Sequence, residues 1–134
     1  MTLQLTTGRL LLTWLVLAIG MSANGVAREI ALKRVLSPVA ADMMSAVTGM
    51  ALIGIVTAIG LRPLRGSSDR IGELAVESMI LIILTLVFET MIGRAVDHMS
   101  WGELAAHYAV WNGELWPVVL LWLACMPFLW ARTT

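Results

Sequence analysis

Met43-Met44-Ser45-Ala46-Val47-Thr48-Gly49-Met50-Ala51-Leu52-Ile53-Gly54-Ile55-Val56-Thr57-Ala58-Ile59-Gly60-Leu61 contains no charged side chain. As an α-helix this run of about 19 residues matches the hydrocarbon thickness of a bilayer. It is introduced by Ser37-Pro38, a helix N-cap followed by proline in the first turn. Three further apolar stretches flank it, at about 10–27, 74–92 and 115–131. Short charged segments separate them. The chain therefore reads as a single integral membrane domain with little mass outside the lipid.

Composition agrees. The chain is 59% hydrophobic and only 13% charged, with a mean hydropathy of +0.86, far from the roughly 25% charged content of soluble domains. Nine basic and nine acidic residues cancel, so no net charge favours nucleic acid. The single Cys125 has no partner for an internal disulfide and reads as a small buried hydrophobe.

The expected fold is all-α, a four-transmembrane-helix bundle with a short amphipathic interfacial helix between spans three and four. The interfacial helix is placed at about 101–111. Ser100-x-x-Glu103 is a capping-box pattern and Asn112-Gly113 a stop signal. Trp101, Leu104, Ala105, Tyr108 and Trp111 recur at spacings of three and four, as a helix lying in the headgroup region requires. Trp14, Trp116 and Trp130 fall near predicted span ends as an aromatic belt, and Trp122 falls inside a span as a packing residue. The first stretch could instead be a signal peptide, with Arg9 as its charged region and Gly25-Val26-Ala27 as a cleavage site.

Four spans place both termini on one side. That face carries Arg9, Arg62, Arg65, Arg70 and Arg132, and the opposite face carries Arg28, Lys33, Arg34 and Arg94. The small excess favours cytoplasmic termini, and its smallness leaves insertion in both orientations open.

The opposite, periplasmic face holds the candidate site. Asn24, Arg28, Glu29, Asp42, Glu89 and Arg94 form a candidate polar or ion site. Trp101, Glu103, His107, Tyr108, Trp111, Asn112 and Trp116 are candidate interfacial or ligand contacts. Thr13, Gly20, Asn24 and Arg28 share one helical stripe, and Ser78, Thr85 and Glu89 share another, so each stripe should face the bundle. A partly buried Glu89 wants a cation. The expected pair is Arg28 with Glu89, with Arg94 as competitor. Gly49, Gly54 and Ala58 are candidate helix-packing positions, the last two forming a Gly-x-x-x-Ala spacing.

No cofactor is expected. His98, Glu103 and His107 are weak metal candidates without a full ligand set, and a quinone or lipid headgroup could use Arg28, Arg94, Tyr108 and Trp111. Ser100 and Cys125 lack the acid or base partners that an enzyme would need. Asn24-Gly25-x-x-Arg28-Glu29, Phe88-Glu89-x-x-x-Gly93-Arg94, Ser100-Trp101-x-x-Leu104, Tyr108 and Gly113-x-Leu115-Trp116 resemble a group of small bacterial four-span membrane proteins with no assigned activity. The resemblance implies a bacterial inner membrane and marks the same periplasmic face. It does not extend to small multidrug-resistance transporters, whose glutamate lies in the first span, or to small dual-topology fluoride channels. The leading functional expectation is an accessory or assembly-forming subunit acting through helix packing and this polar face. Its partners would be the lipid bilayer and further copies of itself or a larger membrane protein. The alternative is a small oligomeric proton-coupled or ion-conducting transporter using Glu89.

Overall fold

The computed structural model describes residues 7–66, 69–106, 108–109 and 114–132. All regular structure among them is helical. Helix α1 (Thr7–Ala27) continues through a π-helical turn (Arg28–Leu32) into α2 (Lys33–Val35). The first apolar helix therefore runs from Gly8 to Val35 over 28 residues, past the expected end at Ala27. The wider π turn carries the backbone hydrogen bonding on while Arg28, Glu29 and Lys33 emerge from the apolar run.

Pro38 sets the next boundary. A residue before proline is driven out of the helical region, and Ser37 accordingly sits at φ −60°, ψ 156°. Its Oγ accepts from the Ala40 N–H at 3.2 Å, capping α3 (Pro38–Gly60) as the sequence predicts. A short 3-10 turn (Arg62–Leu64) follows, and Gly66, at φ +79°, donates its N–H to the Ala131 carbonyl at 3.0 Å. That bond ties the α3–α4 turn to the end of the last helix.

The second half repeats the first half's opening plan. Helix α4 (Ile71–Met91) has 21 residues, like α1, and again runs into a five-residue π turn (Ile92–Val96). Helix α5 (Trp101–Ala106) and helix α6 (Trp116–Ala131) follow. Among the described residues, three helices are long and apolar enough to cross a membrane, Gly8–Val35, Pro38–Gly60 and Ile71–Val96. Helix α6 has 16 residues, so at ~1.5 Å per residue it covers ~24 Å, short of the ~30 Å hydrocarbon layer.

Helices α1 and α3 form one antiparallel hairpin and α4 and α6 the other, with further contacts from α3 to α6 and from α1 to α4. Helix α3 buries every fourth residue, Ala41, Ser45, Gly49, Ile53 and Thr57. This keeps mostly small side chains on one stripe and lets α1 approach closely. A Cβ on Gly49 would stand 2.9 Å from the Met21 methyl, and one on Gly60 would collide with Thr13. Leu10, Leu17, Ile53, Leu74, Leu81 and Leu123 fill the core.

Gly49 packs against α1, while Gly54 has open space where a Cβ would stand, so the Gly54–Ala58 spacing lies on the open side of α3 in the single chain. Cys125 is exposed rather than buried, since α6 turns Leu123, Met126 and Pro127 inward.

Gly60→Leu should therefore lower the thermal stability of the detergent-solubilised protein by about 1–3 kcal/mol through overpacking. Gly54→Leu should leave the melting temperature of the single chain unchanged. Equal melting of the two variants by circular dichroism would contradict this packing.

Candidate functional site

At the end of the bundle away from the start of α1, Asn24 bridges α1 and α3. Its amide donates to the Ser45 carbonyl at 2.9 Å and to Ser45 Oγ at 3.2 Å, and its carbonyl accepts from Thr48 Oγ1 at 2.9 Å. One turn on, Arg28 Nε lies 3.5 Å from Glu29 and 3.8 Å from Asp42, and Lys33 donates to Glu29 at 3.0 Å. The stripe of Thr13, Gly20, Asn24 and Arg28 does face the bundle, against α3.

That orientation overturns the expected Arg28–Glu89 pair. Arg28 follows its stripe toward the first turns of α3, where Asp42 is the nearest acid, whereas Glu89 lies half-buried on α4. Arg94 is also engaged elsewhere. It donates to the Met99 carbonyl at 3.0 Å, and its guanidinium lies 4.6 Å from the Trp101 ring centre.

The capping box at α5 forms as its sequence predicts. The Glu103 N–H donates to Ser100 Oγ at 3.1 Å and the Ser100 N–H to Glu103 Oε1 at 3.4 Å. Glu103 is thereby committed to the helix start. Leu104 folds over Gly93, where a Cβ would collide with it, and so draws α5 back onto the π turn. His98 occupies the turn between them at φ 55°. Among the described residues no three His, Cys, Asp or Glu side chains group to hold a metal. Tyr108 donates its backbone N–H to Ala105, and Trp116 is half-buried at the start of α6. Helix α5 ends at Ala106, short of the expected 111, and Tyr108 and Ala109 are already non-helical; His107, Trp111 and Asn112 lie outside the described residues.

The other end of the bundle holds acids that the sequence reading left out of the site. Glu77 is fully buried and Glu73 is 8% exposed, both on the face of α4 that carries Leu74, Ser78 and Leu81. Arg70 Nη1 lies 3.5 Å from Glu73. The missed signal is the spacing itself, because Leu74, Glu77, Ser78, Leu81 and Thr85 form one continuous helical stripe.

Between the ends, single polar side chains stitch neighbouring helices. Trp14 donates to Thr85 Oγ1 at 3.2 Å and stacks edge-on against Phe88, joining α1 to α4. Ser78 donates to the Ala124 carbonyl at 2.8 Å, joining α4 to α6. Trp122 donates to the Met50 carbonyl at 2.9 Å and Trp130 to Thr57 Oγ1 at 3.0 Å, joining α6 to α3. Trp14 and Trp130 thus spend their indole N–H groups inside the bundle rather than at headgroups. Arg9 donates to the Ile59 and Gly60 carbonyls at 2.8 Å, satisfying the open C-terminal carbonyls of α3.

Among known proteins, no family model, curated protein or solved structure matches this chain.

Two variants rank these interactions. Asn24→Ala should cost about 1 kcal/mol, the loss of a bridging hydrogen bond between membrane helices. Arg28 and Asp42 have side chains 37% and 51% exposed, so their coupling in a double-mutant cycle should stay below ~1 kcal/mol. Unfolding in mixed micelles measures both, and a coupling larger than the Asn24 effect would reverse the ranking.

Proposed function

We propose that the chain is a four-span integral protein of a bacterial inner membrane, with α6 as its fourth span and both termini in the cytoplasm. Within it the protein acts as an accessory or assembly-forming subunit, through helix packing and the polar periplasmic face around Arg28 and Asp42. The observation that carries this reading is an open groove of about 470 Å³ on the outer side of α3 and α6. Ala51, Gly54 and Ala58 line it together with Trp122 and Trp130.

Lipid tails are as apolar as leucine, so membrane helices associate through close packing, and small residues permit it. Asn24, Ser78, Thr85 and Thr57, the polar groups that a solute path would need, are engaged in bonds between helices. The brevity of α6 is compatible with spanning where the bilayer thins locally.

Native mass in lipid particles tests this. The protein should run as a complex larger than one chain, and Gly54→Leu should reduce it to single chains without unfolding. A wild-type protein that is always single overturns the subunit role.

One observation favours the transporter reading as a second choice, the complete burial of Glu77 in the bundle. An ionisable side chain at that depth is costly and serves ion or proton pathways in membrane proteins. On this reading Glu77 replaces Glu89 as the central carboxyl. Proteoliposome flux should then fall with Glu77→Gln and persist with Glu89→Gln, and no flux from wild type rejects transport.

A further inference from the structure

Helices α4 and α6 leave a second groove, of about 320 Å³, at the end of the bundle where α4 starts. Ile71 and Leu74 line one side, Cys125, Phe128 and Leu129 the other, and Arg132 closes it on the loop side. Its apolar length follows α6 from Cys125 to Arg132, ~10 Å at ~1.5 Å per residue. The groove is thus an apolar channel with a cation at one mouth.

The charge around that mouth is unbalanced. Arg62, Arg65 and Arg132 are exposed, and none makes an ion pair among the described residues. The bond from Gly66 to Ala131 holds the Arg62–Gly66 loop beside Arg132. Asp69 and Glu73 are the acids of this loop and of the first turn of α4, and Glu73 pairs with Arg70. Helix α4 starts without a side-chain cap, and Gly72 has open space around it, which adds accessible backbone donors to the cationic mouth.

We propose that this groove binds an anionic phospholipid, one acyl chain lying between α4 and α6 and the phosphate resting against Arg132 and Arg65. The site rests on the membrane-spanning reading above, though not on the subunit role. Charge complementarity selects the occupant. A transmembrane helix would fill the apolar channel but leave the arginines without counter-charge, and a zwitterionic lipid would bring a cation to a cationic mouth. Basic pockets between membrane helices on the cytoplasmic side recognise anionic headgroups in this manner.

The full chain, delipidated in mild detergent, is titrated with phosphatidylglycerol or phosphatidylcholine and followed by native mass spectrometry. Phosphatidylglycerol should be retained at concentrations at least about tenfold lower than phosphatidylcholine. Substitution of Arg65 and Arg132 by glutamine should weaken its retention by about fivefold per arginine. Arg28→Gln and Arg94→Gln, at the other end, should leave it unchanged.

A second readout needs no variant. Cys125 is the only thiol in the chain, so N-ethylmaleimide addition reports on the groove directly and should slow severalfold with phosphatidylglycerol alone. Equal retention of the two lipids, or alkylation that neither lipid slows, overturns the site. Displacement of the lipid by millimolar inorganic phosphate would overturn it in favour of a simple anion site. Resistance of the chain to alkaline extraction from membranes checks the spanning reading separately.

Discussion

Hydrocarbon offers no water to a polar group, and this constraint organises the bundle. Each polar side chain at membrane depth must find its partner in the protein or remain costly. The chain meets the demand with one or two bonding side chains per helix pair. Asn24 serves α1 with α3, Trp14 serves α1 with α4, Ser78 serves α4 with α6, and Trp122 and Trp130 serve α6 with α3. A bond between membrane helices contributes only about 0.6–2 kcal/mol, so these ties set register and orientation more than they supply bulk stability. Close approach does the rest. Gly49 and Gly60 remove side chains where α1 presses on α3, and dispersion across that contact is gained at many atoms at once.

The two ends of the bundle resolve their charge differently. At the far end, Arg28, Lys33, Glu29 and Asp42 largely neutralise one another, and Arg94 is held by a carbonyl and an indole ring. At the near end, Arg9 is drawn into capping α3 and Arg70 meets Glu73, while Arg62, Arg65 and Arg132 remain in excess. An end whose charges largely pair, with Arg34 and Asp97 left exposed, suits contact with a protein surface. An end with surplus arginine suits a counter-charged headgroup. The two π turns lie toward the self-neutralised end, where each converts a straight apolar helix into a segment that carries arginine out of the lipid.

Much of the fold was legible because bilayer thickness imposes a length that apolar runs reveal directly. Ser37-Pro38 and Ser100-x-x-Glu103 could be read because caps depend on residues three or four apart, and both formed. The stripe through Asn24 and Arg28 was legible for the same local reason. Its partner was not. Whether Arg28 meets Asp42 or Glu89 depends on which helix α1 packs against, and no spacing within α1 contains that information. The burial of Glu77 was not legible from its place at the edge of an apolar run, since depth along a helix says nothing about which way a side chain faces. Cys125 turned out exposed for the same reason, because hydrophobicity all round a membrane helix hides the boundary between its inner and outer faces.

Helix α6 shows how far these local bonds reach. It is shorter than the hydrocarbon layer, and a free helix of that length could tilt or slide to reduce the mismatch. Here it is held from two sides. Ser78 bonds the Ala124 carbonyl from α4, two indoles bond into α3, and Gly66 bonds the Ala131 carbonyl at the helix end. Sliding α6 by one residue would move it ~1.5 Å and break all four. On the proposed four-span reading, the mismatch then falls on the lipid rather than on the helix. Both open grooves border α6, so on that reading the flank where the bilayer adapts is also the flank that offers space to a lipid or a partner helix.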